Sequence, residues 1–124
     1  MKVLLSIKPE FAFKIFDGTK KFEFRKSIFK RKDISRVIVY ASSPVKQVIG
    51  EFEIEDILYD NTEIVWDITK RASGITKQFY DEYFANRDKA FAIQVGVTKR
   101  YNSPKALSDY DLDYAPQSFA YVEM

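Results

Sequence analysis

Lys20, Glu23 and Arg25 fall within one short stretch, Thr19-Lys20-Lys21-Phe22-Glu23-Phe24-Arg25-Lys26. An ammonium, a carboxylate and a guanidinium held close together can grip a phosphate, orient a nucleobase or move a proton. Arg25 suits bidentate contact with a phosphate or carboxylate. Glu23 can accept from an exocyclic amine, or serve as acid or base. Lys20, if desolvated, can lose its proton and activate a nucleophile. Lys26 adds a further cation. The same residues also suit an exposed strand whose charges compensate one another, which is worth little to stability.

The composition narrows the chemistry. The chain has no histidine and no cysteine. Ser-His-Asp and Cys-His catalysis are excluded, as are imidazole or thiolate metal sites and disulfides. Any proton transfer must use Glu, Asp, Lys or Tyr. A carboxylate-only site for a hard cation stays open, but no residues are assigned to a metal and no cofactor is expected. No Gly-x-Gly-x-x-Gly, P-loop or Gly-x-Ser-x-Gly element occurs, so Walker-type nucleotide hydrolysis and esterase-type chemistry have no motif to rest on.

Three further groups can line a site. Ser6 and Lys8, in Ser6-Ile7-Lys8-Pro9, close a strand just before a helix N-terminus, where a cation and free N–H groups make a plausible anion site or simply a surface helix start. Tyr40, Ser42 and Ser43 end another strand with hydroxyls. Gln117 and Ser118, next to Phe119, bring an amide, a hydroxyl and an aromatic together. Gln and Ser can read a base edge, and Phe or Tyr can stack on it.

Charge is unevenly distributed although the net charge is only +2. Lys20 to Arg36 carries eight basic and two acidic residues; Glu51 to Asp67 carries seven acidic and no basic ones. The basic lobe can attract a polyanion, or the two lobes can neutralise each other across paired strands.

These side chains must be positioned by local elements. Lys2 to Ile7 reads as a central strand, and Pro9 with Glu10 opens a helix. Phe11, Ala12, Ile15 and Phe16 form its apolar face; Phe13 lies off that face, exposed or touching a partner. Asp17-Gly18 ends the helix. From Phe22 the chain alternates as a strand, with Phe22 and Phe24 on one face and Lys21, Glu23 and Arg25 on the other. Ser27 to Ser35 reads as a basic loop with a helical turn at Lys30 to Asp33. Arg36 to Ala41 is a buried strand, and Val48 to Leu58 an alternating one with Phe52 and Ile54 inward and Glu51, Glu53 and Glu55 outward. Gly50 marks a bulge or a close approach to the backbone.

A helix follows from the Asp60-Asn61-Thr62 cap to about Ala72, with Ile64, Val65 and Ile68 inward. Ser73-Gly74 breaks it, and Thr76 caps a second helix whose stripe of Phe79, Tyr80, Tyr83 and Phe84 reads as core packing. Ala90 to Thr98 is a strand with Phe91, Ile93, Val95 and Val97 on one face. A turn at Leu107 to Asp113 and a short strand ending near Val122 complete the chain. The order β-α-β-β-β-α-α-β-(β) points to a single α+β domain over residues 1–124, a small, mixed, mostly antiparallel β-barrel with flanking helices. There is no long apolar run of the kind a membrane span needs, roughly 18 residues, so no membrane association is expected. The lack of cysteine suits a cytoplasmic protein.

Read together, these residues resemble the ASCH domain of the PUA-like superfamily, whose hallmark is Gly-x-Lys-x-x-Glu-x-Arg. Gly18, Lys20, Glu23 and Arg25 fill every hallmark position. Tyr40-Ala41-Ser42-Ser43-Pro44 and Pro116-Gln117-Ser118-Phe119 are similar to what small stand-alone bacterial and phage members carry. The resemblance implies a PUA-like barrel and a cleft where the hallmark residues meet, with RNA, a nucleotide or a nucleoside as partner; a protein partner is possible but not indicated. Some family members are amidohydrolases acting on 4-acetylcytidine, and at least one is a ribonuclease. If this chain is an enzyme, the resemblance implies Lys20 and Glu23 as its catalytic residues. The amidohydrolases carry threonine where this chain has Glu23, and a further glutamate elsewhere. Glu51, Glu53 and Glu63 are all open for that position.

Overall fold

The computed structural model describes residues 1–123. Its first strand, β1 (Lys2–Ile7), alternates so that Val3, Leu5 and Ile7 enter the main core while Leu4 faces a second apolar layer. α1 (Pro9–Asp17) starts on Pro9, which needs no N–H there, and stops at Gly18, whose φ of 88° is the left-handed conformation that glycine adopts without strain. Ala12 and Ile15 pack this helix onto the sheet.

β2 (Phe22–Arg25), β3 (Arg36–Ala41), β4 (Gln47–Asn61), β5 (Lys89–Lys105) and β6 (Phe119–Val122) join β1 in one six-stranded sheet of order β2-β5-β4-β3-β1-β6. β1 and β3 run parallel, and every other neighbouring pair is antiparallel. The fold is therefore the expected mixed α+β type. The sheet is barrel-like but does not close: β2 and β6 are its two edges, and among the described residues no ladder joins them. Register shifts along β4, at Val48/Gly50, Phe52/Ile54 and Ile54/Asp56, bend the long β4–β5 ribbon. Gly50 sits where a Cβ would come within 2.6 Å of the Lys99 carbonyl and 2.7 Å of the Phe16 ring. The close approach expected at this glycine is thus from α1 and β5.

α2 (Thr62–Thr69), tightening into a 3₁₀ turn over Lys70–Ala72, and α3 (Lys77–Tyr83) cover the β2 end of the sheet. Asn61 and Thr76 cap them, accepting from the N–H groups of Glu63 and Phe79. Val65, Tyr80 and Phe84 pack there against Phe22, Phe24, Ala90 and Ala92.

Several local expectations change. Ile64 and Ile68 are exposed, because α2 buries Val65 and Thr69 one turn apart. Val97 is also exposed, on a strand that runs on to Lys105. Lys30 to Asp33 forms no helical turn; the N–H groups of Lys30 and Arg31 donate to the Tyr121 hydroxyl, and Arg31 forks onto Asp33. Phe13 is partly buried against the main core, with the Arg100 guanidinium 5.2 Å from its ring centroid.

Candidate functional site

The hallmark residues reach their places through α1 and β2. The left-handed turn at Gly18 lets the N–H groups of Thr19 and Lys20 donate to the Lys14 carbonyl. Lys21 is then pinned between two partners, donating to the Ala72 carbonyl and accepting from Val95 N–H. β2 follows in register with β5, Glu23 opposite Ile93 and Arg25 opposite Phe91. The strand alternates as expected, but neither face is solvated: Phe22 and Phe24 are covered by α2 and α3, and Glu23 is only 6% exposed.

Lys20 is 2% exposed. Its ammonium donates to the Ser73 carbonyl at 2.9 Å and lies 4.7 Å and 5.4 Å from the ring centroids of Phe24 and Phe11. Cation–π contact partly replaces the lost water. Burial pulls its pKa down to about 8; Glu23 opposes that shift and Lys14 adds to it. Gly74, at φ 70°, closes over the stem of this lysine, and a Cβ there would meet Lys20 Cβ at 2.5 Å.

Arg25 is already engaged. Nη1 donates to Glu23 Oε2 at 3.1 Å and the Ser6 carbonyl at 3.3 Å; Nη2 donates to the Ser118 carbonyl at 2.7 Å and Ser118 Oγ at 3.4 Å. The fork that suits a phosphate grip here clasps protein groups, while Arg25 still lines the adjoining cavity. It spans the open seam between the sheet edges and orients the Glu23 carboxylate. Ser6 Oγ is likewise used, donating to the Pro116 carbonyl at 2.8 Å.

These groups surround a cavity of about 300 Å³ lined by Ser6, Lys8, Lys20, Glu23, Arg25 and Gln117, with Ile7, Phe11, Phe24, Ile75, Phe79 and Tyr83 as its apolar walls. A second hollow, also about 300 Å³, shares Arg25, Tyr83 and Gln117 and adds Lys26, Ser27, Arg87 and Ser118. The shared residues make the two one cleft. Lys8, Lys26 and Arg87 stand at its rim, exposed and without a carboxylate partner among the described residues. Lys8 and Lys26 rest 5.4 Å and 4.8 Å from the ring centroids of Phe79 and Tyr83.

Tyr40, Ser42 and Ser43 line neither hollow. Tyr40 shares strand parity with Ile38, so it packs into the apolar layer with Leu4, Val48 and Tyr110. Ser42 anchors a turn, its N–H donating to the Ile7 carbonyl, and Ser43 precedes the cis peptide to Pro44. The aromatic stripe on α3 divides: Tyr80 and Phe84 are core as expected, while Phe79 and Tyr83 line the cleft. Their i, i+4 spacing could have marked them as one face. Arg87, beyond the helix, had no such signal.

None of the three candidate glutamates enters the cleft; Glu23 is the one carboxylate lining it among the described residues. Glu53 pairs with Arg36, and Glu63 sits in the first turn of α2. Glu51 is buried at the far end of the sheet, held by Lys2 at 3.1 Å, Arg36 at 2.8 Å and the Tyr101 hydroxyl at 2.9 Å. Burial pushes its pKa up, but those three hydrogen bonds outweigh it and hold the carboxyl at about 2.

An open, barrel-like α+β sheet with a Gly-x-Lys-x-x-Glu-x-Arg cluster at its seam, the lysine and glutamate buried, defines a class of protein. The ASCH domain model matches residues 5–99, and the chain belongs to that family. The ASCH protein of Zymomonas mobilis superposes with a TM-score of 0.90 at 29% identity, over 98% of this chain and 87% of that one. A relative from the same organism, named an ASCH domain-containing ribonuclease, is 35% identical over 92 residues, which is 74% of this chain and 62% of the relative. A Ureaplasma parvum protein named large ribosomal subunit protein uL22 is 31% identical over 121 residues; the match takes 98% of this chain but only 39% of that protein's length. Among the described residues, no helix is long and apolar enough to cross a membrane.

Proposed function

We propose that this chain is an RNA-binding ASCH domain that seats a nucleotide of single-stranded RNA in the cleft at the sheet seam. The observation that carries this reading is the convergence of Lys20 and Glu23 on a cavity walled by Phe11, Phe79 and Tyr83. About 300 Å³ is at the lower end of the size range for small-molecule pockets. The aromatic walls offer stacking surface to any base. Glu23 and Gln117 supply an acceptor and an amide for a base edge, and Lys8, Lys26 and Arg87 supply cations for flanking phosphates. A ribonuclease-named relative supports RNA as the polymer.

The test is a fluorescence-anisotropy titration of labelled single-stranded RNA and of free nucleotides, at low and moderate salt. Binding that weakens with salt, and weakens further in Phe79→Ala with the fold intact, is expected. Absence of binding to every member of that panel at low salt would overturn the reading.

A second reading, hydrolysis, is favoured by one observation: Lys20 is buried with a pKa near 8 beside a carboxylate. A neutral Lys20 amine can take a proton from an attacking hydroxyl or water, with Glu23 as its acid–base partner. RNA or an acylated nucleoside such as 4-acetylcytidine would be the substrate. Incubation of both with wild type, Lys20→Met and Glu23→Gln separates binding from turnover. Cleavage by wild type that Lys20→Met abolishes supports hydrolysis; turnover surviving that change removes the mechanism.

A further inference from the structure

The end of the sheet away from the cleft carries a third hollow, about 440 Å³, lined by Lys2, Glu51, Lys99, Arg100, Tyr101, Asn102, Ser103 and Lys105. Its electrostatics are set by how Glu51 is used. That carboxylate is shared by Lys2, Arg36 and Tyr101, so it leaves nothing for the three β5 cations that line the hollow. Lys99, Arg100 and Lys105 are exposed, and none has a carboxylate partner among the described residues. Two of them are nonetheless held in place. Arg100 lies over the Phe13 ring and Lys105 over the Tyr101 ring, 5.2 Å and 4.9 Å from the centroids. Asn102 and Ser103 are exposed beside them as neutral donors.

We propose that this groove is a second phosphate-binding site, which takes the sugar-phosphate backbone of the RNA whose nucleotide occupies the cleft. The proposal rests on the RNA reading above. Unpaired Lys and Arg heads with Asn and Ser beside them are the side chains that contact phosphate oxygens without reading sequence. The aromatic ring lining the hollow, Tyr101, already has Lys105 over it, so the hollow fits backbone rather than base. Its position also fits one strand of RNA. Lys2 and Ser6 lie four residues apart on β1, which at strand rise is roughly 13 Å. A short oligonucleotide can therefore touch both ends.

The experiment compares wild type with the triple variant Lys99→Ala/Arg100→Ala/Lys105→Ala, binding a labelled single-stranded RNA dodecamer and a single nucleotide. Thermal melts confirm that the variant is folded. Removing three phosphate contacts should weaken dodecamer binding at least about tenfold and make the slope of log K against log salt shallower by about 2. Binding of the single nucleotide should not change. Dodecamer affinity and salt slope equal to wild type would overturn the second site while leaving the cleft reading intact. Phosphatidylserine vesicles serve as a third probe, and a loss of binding confined to them would overturn the assignment to RNA. A wild type that binds neither ligand overturns both readings.

Discussion

The Lys20 ammonium donates to the Ser73 backbone carbonyl at 2.9 Å, across 53 residues of sequence. That bond holds a lysine under the loop between α2 and α3, out of water and against two aromatic rings. The folded-state pKa, about 8, lies below the 10.5 of a free lysine. Between those values the unfolded chain binds more protons than the folded one, so this group makes stability rise with pH through that window.

Lys20→Met removes the titration. The stability difference between this variant and wild type should favour the variant most below pH 8 and shrink by about 3 kcal/mol as pH rises toward 10. Denaturant unfolding of both proteins at pH 7 and above 9 measures it. A difference that stays constant with pH would show that Lys20 is not desolvated.

Gly74→Ala tests the loop that covers Lys20. The new methyl would meet Lys20 Cβ at 2.5 Å, at a residue whose φ is 70°. The left-handed backbone alone costs an alanine about 1–2 kcal/mol, and displacement of Lys20 adds to that. We expect a lower melting temperature and loss of ligand binding in the cleft, whereas Gly18→Ala, with nothing within 4 Å of its Cβ, should lower the melting temperature with a smaller effect on binding.

Arg25 and Glu23 should behave as a coupled pair. Their side chains are 12% and 7% exposed. Arg25→Ala leaves a buried carboxylate unpaired and should cost about 3–5 kcal/mol. Adding Glu23→Gln should recover part of that loss, which a double-mutant cycle by urea unfolding reads as a coupling energy above about 1 kcal/mol. Additive losses would mean that the two side chains do not depend on each other.

Phe79→Ala and Tyr80→Ala are neighbours on α3 with opposite expected outcomes. Phe79 lines the cleft, while Tyr80 is 1% exposed and donates to the Thr62 carbonyl. Tyr80→Ala should cost about 3–5 kcal/mol of stability. Phe79→Ala should cost much less and instead weaken RNA binding by about 1–3 kcal/mol. Calorimetric melts and anisotropy titrations of the two variants separate these effects.

Glu51→Gln should flatten the acid limb of the stability curve. The folded carboxyl is held near 2, below its ordinary 4.5, so its stabilisation is present above that ordinary value and fades as pH falls from 4.5 toward 2. Acid titrations followed by circular dichroism should show wild type losing about 2–3 kcal/mol more than the variant across that window. Parallel acid limbs would remove Glu51 as a stabilising carboxylate.

What the chain discloses by itself is what local rules govern. The start of α1 at Pro9, its stop at Gly18, the caps at Asn61 and Thr76 and the close approach at Gly50 each depend on one residue and its neighbours. The hallmark spacing likewise brings Lys20 and Glu23 to one cavity. The remaining features depend on distant packing. The acceptor for Lys20 is a main-chain carbonyl, and a carbonyl leaves no mark in a sequence. The stripe of Phe79, Tyr80, Tyr83 and Phe84 spans two helix faces, and it is the distant contact of Tyr80 and Phe84 with Phe24 of β2 that buries one of them. Tyr40 ends a strand that reads as buried, but nothing local says that its side of β3 is roofed by Tyr110. Arg25 reads as a free fork until the chain near Ser118 returns to occupy it.

The sheet left unclosed between β2 and β6 has a consequence for association. Its two outermost strands, Phe22–Arg25 and Phe119–Val122, are four residues each. Such stubs offer a foreign strand very few free main-chain groups to zip onto, and Arg25 laces one edge to the segment leading into the other. The open seam is thus edged by strands too short to template aggregation.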